Sequence, residues 1–330
     1  MTTKTTRIGR RAAIGGFAGA GALLGAPAIL RAQQVKWIGA SVAPASDFIS
    51  IALDVFAKRA SELTSGQVQI ATHHGGALGG ERENVEGLLQ GAVQVATPGA
   101  AILGGWYKPA EVWTYPYLFK DVAHKDRVMT TLMPEYGEDV AKSMKVRPMA
   151  SIPRMPRMVS SSRSIKVPAD MKGLKIRVPE TTMWRRTFER FGASPTPMAW
   201  PEVFQALKSG VIDAQENPMA LTFNSGIYDV SKNLALTEHM MQDNVLIVAD
   251  AAFQRLSEPL RQALVKAGRD MEDDLRPRVV ADDNRILEEV KKKNIAINEV
   301  DKGAFRAALQ GMDAEFPHVK KWVDRIAQIA

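Results

Sequence analysis

The sequence predicts an α/β protein built from two domains that exchange chain segments. Strand and helix patterns alternate along most of the chain, which favours mostly parallel sheets covered by helices. The alternation restarts near Val146, and a long charged helix follows Ser257. A length of 330 residues suits two domains of ordinary size.

The first half has the order strand, helix, strand, helix, strand. Apolar residues at helical spacing predict helices over 48–63 and around 85–89, and alternating apolar residues predict strands at 35–38, 68–70 and 93–95. Gly66 and Gly91 are natural helix stops.

The second half repeats the pattern around a strand at Leu174–Val178, which Pro179 stops. A helix with Trp184, Phe188 and Phe191 on one stripe follows and ends at Gly192. Pro201 suits the first turn of the next helix, with Val203, Phe204 and Leu207 pointing inward. The run Val211–Ile212 predicts a further strand, with Asn217 beyond its end and Pro218 as the stop.

A long helix is predicted from Ser257, which suits an N-cap, with Pro259 in the first turn. Pro277 is expected to kink or break it before it resumes through Ile286 and Val290. Its apolar stripe is too thin for one core, which favours a helix that bridges two domains.

The composition indicates a soluble, core-forming protein, with 45% hydrophobic residues and a mean hydropathy of −0.14. Cysteine is absent, which excludes disulfides, thiol nucleophiles and zinc–thiolate sites. The formal charge of +7 falls to +2 without residues 1–32, which hold five basic residues and no acidic ones. A chain with so small a net charge is attracted only weakly to the phosphate backbone of nucleic acids, and we expect no nucleic-acid partner.

Residues 1–32 are predicted to be an export signal. Arg10 and Arg11 precede a Gly- and Ala-rich apolar stretch, and Ala32 ends a small-residue cleavage region. The paired arginines resemble a twin-arginine signal, which addresses the chain to the periplasm. Pro27 and the many glycines favour cleavage over a membrane anchor.

Two side chains near strand ends form a candidate grip for a small oxyanion. The planar guanidinium of Arg177 matches a carboxylate with two parallel hydrogen bonds. Asn217 offers both a donor and an acceptor. The alternatives are a solvated arginine beside Lys175 on an edge strand and a turn-forming asparagine before a proline.

The segments GLKIRVP, GASPTPMAW and VIDAQENP, all between Asp170 and Pro218, resemble in order and spacing the signature of solute-binding subunits of tripartite ATP-independent periplasmic (TRAP) transporters. The resemblance implies a type II-like periplasmic binding protein with a hinge and a long domain-spanning helix. It also implies a protein that captures an organic acid and delivers it to the membrane subunits of a permease. The candidate lining mixes hydrogen-bonding groups with one indole, which favours a hydroxylated acid such as a sugar acid. We expect a monomer without cofactor or metal.

The same resemblance implies the site residues. Arg177 matches the family arginine that pairs with the substrate carboxylate, Asn217 is a second contact, and Trp200 occupies a wall position that core packing explains equally well. Arg157 falls where a second basic contact is common, and Arg154 is its rival. Weaker candidates by position, for the ligand's far end or beside Asn217, are Ser41, Asp47, Thr97 and Gln215, with either Gln215 or Glu216 expected to be structural.

The expected domains are 33–154 with about 243–282, and 155–242 with about 283–330. An exported hydrolase or lyase and a soluble ligand sensor are alternative functions. The enzyme alternative lacks a credible catalytic set, because Ser160–Ser162 have no paired histidine and His73–His74 precede no nucleophile elbow. Adjacent histidines on a strand also point to opposite faces, which makes a poor metal clamp.

Overall fold

The computed structural model describes residues 34–330, so the predicted export signal lies outside the described residues. These residues form a two-domain α/β fold with one mixed sheet in each lobe. The strands in chain order are β1 Val35–Ala40, β2 Val68–His73, β3 Val95–Ala96, β4 Val146–Ile152, β5 Arg157–Ser161, β6 Lys175–Val178, β7 Ser194–Pro197, β8 Ala214–Pro218, β9 Asn233–Ala235, β10 Asn244–Ala249 and β11 Ala296–Asn298.

The first lobe is built on a five-stranded sheet of order β2-β1-β3-β10-β4. Strands β1, β2 and β3 run parallel, as the strand–helix–strand pattern predicts, and β10 is antiparallel to both of its neighbours. The second lobe has a six-stranded sheet of order β11-β9-β5-β8-β6-β7. In it β6 pairs in parallel with β7 and β8, whereas β5 is antiparallel to β8 and β9.

Helices cover the sheets, and their chain order is α1 Phe48–Leu63, α2 Glu81–Gln90, α3 Val122–Met144, α4 Thr182–Arg190, α5 Val203–Lys208, α6 Met219–Asn224, α7 Ile227–Val230, α8 Asp250–Gln254, α9 Glu258–Lys292, α10 Lys302–Ala308 and α11 Lys320–Ala327. The predicted helix over 48–63 matches α1, whose first turn the Asp47 carboxylate caps by accepting from the Ile49 amide. None of the helices within residues 34–330 combines the length and apolarity that crossing a bilayer requires.

Helix α9 links the two lobes, as the thin apolar stripe predicts. Its residues from Leu264 to Val279 pack in an apolar cluster with the first sheet, and Ile286 and Val290 pack in a different cluster with Met158 and Leu234 of the second. Of the predicted kink or break at Pro277, the break is wrong, because α9 continues through it, and the kink stays a prediction. The lost backbone hydrogen bond is offset by buried Leu275 and Val279 on either side.

The chain also crosses between the lobes at two shorter segments. Residues 153–156 join β4 of the first sheet to β5 of the second, and residues 236–243 join β9 to β10 in the opposite direction. The final segment returns to the first lobe, where Met312–Ile326 contributes buried side chains to the apolar cluster of Trp113 and Tyr136.

The two lobes touch through a further apolar cluster. Val42, Ala43 and Ile49 of the first lobe pack with Trp200 and Leu221 of the second. The lobes are therefore in contact beside the cleft between them.

Two local predictions in the second lobe are wrong. The run Val211–Ile212 lies outside any strand, with Val211 57% exposed, and the strand that follows is Ala214–Pro218. Asn217 therefore lies inside β8 rather than beyond its end. Phe204, expected to point inward, is exposed, whereas Val203 and Leu207 are buried.

Candidate ligand-binding site

A cavity lies in the cleft and is walled by both lobes and by the crossing segments. It holds about 40 Å³ of space that the centre of a water molecule can occupy, enough for a few waters. The residues that line it are Val42, Ile49, Glu81, Gly99, Arg154, Arg157, Arg177, Pro179, Trp184, Trp200, Asn217, Leu221, Gln242 and Asn244.

Arg177 projects from β6 into this cavity. Its Nε donates to the Met198 carbonyl at 2.8 Å, and its Cζ lies 5.5 Å from the centre of the Trp200 ring. Within residues 34–330 nothing accepts a hydrogen bond from Nη1 or Nη2, although the residue is only 4% exposed. Burial lowers the pKa of Arg177 to about 10 against the opposing effect of Glu216 and Glu81, so the guanidinium remains charged at neutral pH. Two parallel donors on a fixed cation are what a carboxylate binds.

Arg157 enters the cavity wall from β5, but its guanidinium is bound to β8. Nε donates to Glu216 Oε2 at 2.6 Å and Nη2 donates to Glu216 Oε1 at 2.8 Å. Nη2 also donates to Asn217 Oδ1 at 2.7 Å, and Arg157 Cζ lies 5.0 Å from the Trp184 ring centre. Arg157 therefore neutralises a buried carboxylate and orients Asn217.

Glu216 is held in its charged form by two partners. His239 Nε2 donates to Glu216 Oε2 at 3.0 Å, since an ionised carboxylate only accepts. Burial alone would raise the pKa of Glu216, but the larger combined effect of Arg157 and His239 lowers it to about 2. Burial lowers the pKa of His239 despite the adjacent carboxylate, so the imidazole is neutral at neutral pH. The three side chains form a buried, charge-balanced unit behind the cavity wall.

Asn217 lines the cavity with a fixed carboxamide. Its Oδ1 accepts from Arg157, and its Nδ2 donates to Gln215 Oε1 at 2.8 Å. Gln215 in turn donates to Ser160 Oγ at 2.7 Å and to Thr222 Oγ1 at 3.1 Å. Asn217 Nδ2 keeps a second hydrogen for a ligand, because an amide nitrogen carries two.

The first lobe contributes groups that the sequence reasoning missed. Glu81, the first residue of α2, accepts from the Gly99 amide at 2.8 Å and faces the cavity. Burial raises its pKa, against the opposing effect of the Gly99 hydrogen bond and Arg177. Gln242 is buried with Oε1 unpaired among the described residues. A carboxylate after two glycines at a helix start was the available signal for Glu81.

The structure brings Arg177, Arg157, Asn217 and Trp200 together on the cavity wall, and it places the weaker candidates elsewhere. Ser41 is buried with its Oγ 2.8 Å from Ser50 Oγ, and Asp47 caps α1. Thr97 and Gln215 are buried beside the site without lining it. Gln215 instead acts on Asn217 through one hydrogen bond.

Comparison with known proteins identifies the architecture. The profile described as "Bacterial extracellular solute-binding protein, family 7" matches residues 39–317. The chain belongs to this family. A solute-binding protein of Roseobacter denitrificans is 33% identical over 280 residues, which is 83% of this chain and 83% of that protein.

Two solved TRAP periplasmic solute-binding proteins are similar over the whole fold. One from Roseobacter denitrificans, with bound L-galactonate, has a TM-score of 0.85 and 29% identity, and covers 90% of this chain and 99% of its own. One from Chromohalobacter salexigens, with bound D-glucuronate, has a TM-score of 0.85 and 30% identity, and covers 89% and 100%. The predicted family, fold and transport function are confirmed: this is a periplasmic TRAP solute-binding protein rather than an enzyme.

Proposed function

We propose that the ligand is a hydroxylated monocarboxylate of the sugar-acid class, and that its carboxylate binds Arg177. One observation carries this proposal: the two terminal nitrogens of Arg177 have no hydrogen-bond partner within residues 34–330, although the residue lines the cavity and is only 4% exposed. An unpaired buried guanidinium is costly, and an acid that accepts both hydrogen bonds removes that cost.

The rest of the cavity suits hydroxyl groups. The Glu81 carboxylate and the unpaired Gln242 Oε1 are acceptors, so they complement donors on the ligand. A second carboxylate facing Glu81 would be repelled, which favours a monocarboxylate. L-galactonate and D-glucuronate, the ligands bound to two of the relatives, each combine one carboxylate with several hydroxyls.

The remaining site residues either contact the ligand or support the residues that do. Asn217 contributes one ligand hydrogen bond, Trp200 forms an apolar wall, and Arg157 contributes mainly through Glu216 and Asn217. Ser41, Asp47, Thr97 and Gln215 support the site without touching the ligand.

We propose that the first domain comprises 33–154, about 243–282 and the final segment from 312, and that the second comprises 155–242 with about 283–311. The split of α9 between two apolar clusters supports a boundary near 282. The final segment belongs with the first domain in this proposal, because Met312–Ile326 packs in the cluster of Trp113. The protein acts as a monomer without nucleic acid and passes its ligand to the membrane subunits of a TRAP permease.

Export by the twin-arginine route completes the proposal. It is supported by Arg10 and Arg11 before the apolar stretch. Changing both to lysine is expected to retain the chain in the cytoplasm, which fractionation measures. Export that is unchanged in the double variant would argue for another route.

The ligand proposal is tested by thermal shift against a library of aldonates, uronates, dicarboxylates and 2-oxo acids, followed by calorimetry. L-galactonate, D-glucuronate or a related hydroxy acid is expected to raise the melting temperature most. A library in which only dicarboxylates stabilise the protein would overturn the sugar-acid assignment.

A further inference from the structure

Arg154 lies on the crossing segment between β4 and β5 and lines the same cavity. Its Nη1 donates to Asp47 Oδ1 at 2.7 Å. Its Nη2 is buried and has no hydrogen-bond partner among residues 34–330, and the whole residue is only 4% exposed. This leaves a charged donor unsatisfied at the wall of a ligand cavity, which costs free energy until something accepts from it.

Arg157, the other basic residue of the segment, differs in what its guanidinium binds. Nε and Nη2 of Arg157 make four hydrogen bonds to Glu216 and Asn217. Arg154 makes one side-chain hydrogen bond, to Asp47. Arg157 Nη1 also has no partner among residues 34–330, but it is not fully buried, whereas Arg154 Nη2 is. Of these two arginines, Arg154 therefore has the spare donor that is cut off from solvent.

The main chain of Arg154 is fixed by a buried ion pair. Its amide donates to Asp243 Oδ1 at 2.9 Å, and its carbonyl accepts from Lys125 Nζ at 2.8 Å. Lys125 and Asp243 are themselves paired, and Ser151 Oγ donates to Asp243 Oδ2 at 2.7 Å. This network joins both short crossing segments, so it holds Arg154 in register with Gln242 and Asn244 on either side of Asp243.

The charge balance indicates what Arg154 binds. Asp47 already offsets its positive charge at 2.7 Å, whereas within the described residues the Arg177 guanidinium has no carboxylate partner within salt-bridge distance. A ligand carboxylate is therefore attracted more strongly to Arg177. The spare hydrogen on Arg154 Nη2 suits a neutral oxygen.

The geometry points to Arg154 as a specificity-determining residue that donates through Nη2 to a hydroxyl oxygen of the ligand. This rests on the proposed function, since it takes the ligand to be a hydroxylated acid held by Arg177. Asp47 acts through Arg154 as a positioning residue, and it couples the ligand hydroxyl to the start of α1 in the first lobe.

The test is calorimetry of Arg154→Gln with L-galactonate or D-glucuronate, whichever binds the wild type more tightly, and with its mono-deoxy analogues. The variant is expected to bind the parent acid about 10- to 100-fold more weakly, the usual effect of losing a charged hydrogen bond. One deoxy analogue should have the same affinity for the variant as for the wild type, because it lacks the hydroxyl that Arg154 would bind.

Two further variants keep the result interpretable. Asp47→Asn combined with Arg154→Gln removes both buried charges and retains a helix cap, so it guards against misfolding of the single variant. Arg255→Gln alters an exposed arginine and is the control expected to bind as the wild type.

Equal weakening toward every analogue, or no weakening at all, would overturn the assignment of Arg154. If the wild type binds neither acid nor any other hydroxylated acid, the proposed function fails and this inference fails with it. If Arg177→Ala weakens binding as the proposed function expects while Arg154→Gln leaves it intact, only this inference fails.

Discussion

Arg157 of β5 and Glu216 of the antiparallel strand β8 are diagonal neighbours, since Arg157 lies opposite Pro218, and two parallel hydrogen bonds of 2.6 and 2.8 Å join their side chains. Both side chains are buried, and His239 holds the carboxylate from another side at 3.0 Å. The pair fixes the floor of the ligand cavity, because Asn217 follows Glu216 directly and accepts from the same guanidinium.

Glu216→Gln is expected to lower the free energy of unfolding by about 3–5 kcal/mol, because it leaves the buried Arg157 charge uncompensated. Urea denaturation at neutral pH measures the change. Arg157→Met combined with Glu216→Leu is the contrast, since it removes both charges and should be less destabilising than the single change. A single variant as stable as the wild type would show that the pair is dispensable for folding.

Arg177→Ala is expected to weaken ligand binding by about 2–5 kcal/mol, or roughly 30- to several-thousand-fold, because it strands a desolvated carboxylate. Arg177→Lys should recover only part of the loss, since an ammonium lacks the planar pair of donors. Calorimetry with the best acid from the library measures both. A loss of less than threefold for the alanine variant would remove Arg177 from the site.

Asp283 gives a pH-dependent prediction. It lies on α9 between Val279 and Ile286, where the helix passes from one apolar cluster to the other. Burial raises its pKa to about 6, against the opposing effect of Arg154, and Asp282 raises it further. Because the folded-state pKa lies above the unfolded value of 3.8, Asp283 costs stability that grows as the pH rises through 3.8 and reaches its full size above about 6.

Asp283→Asn is therefore expected to stabilise the protein at pH 7.5 by about 1–3 kcal/mol, and most of that gain should be lost at pH 4. Urea denaturation of both proteins at the two pH values measures the difference. An exposed acid on the same helix, changed as Glu288→Gln, is the control and should show no such gain. A gain of the same size at both pH values would mean that titration of Asp283 is not its cause.

The sequence predicts the strands whose apolar residues alternate and the helices whose apolar residues recur at helical spacing. Leu174, Ile176 and Val178 are buried, and Arg177 follows from that register onto a strand beside the cavity. Helix α9 was predicted to bridge two domains for a similar reason, since its stripe is too thin for one core. For β6 and α9 the sequence predicts the type of element and the orientation of its side chains, because the burial of apolar residues alone determines both.

The strand β8 could not be read in this way, because its buried residues include Gln215, Glu216 and Asn217. They are buried because partners on other elements satisfy them, including Ser160, Arg157 and His239. Glu81 and Gln242 were missed for the same reason: their roles depend on groups distant in sequence. A local pattern can mark a position, as the two glycines before Glu81 do, but it does not encode the distant partner.

The glycine-rich loop before α2 determines how closely the lobes approach. Gly76 has a φ of +74°, and a Cβ placed there would lie 2.5 Å from Pro201 Cγ in the opposite lobe. The Gly76 amide is tied to the Ser41 carbonyl at 3.2 Å, so the loop cannot move aside freely. Gly75 has a similar φ of +65°, but a Cβ there would have nothing within 4 Å.

Gly76→Ala is expected to weaken ligand binding about 5- to 100-fold although residue 76 does not line the cavity, because the added methyl collides only when the lobes close. Gly75→Ala is the matched control, since it carries the same backbone strain without the collision. X-ray scattering should show that saturating acid compacts the wild type and Gly75→Ala, while Gly76→Ala compacts less at the same concentration. Equal affinity and equal compaction in the two variants would mean that the approach of Gly76 to Pro201 does not limit closure of the lobes around the ligand.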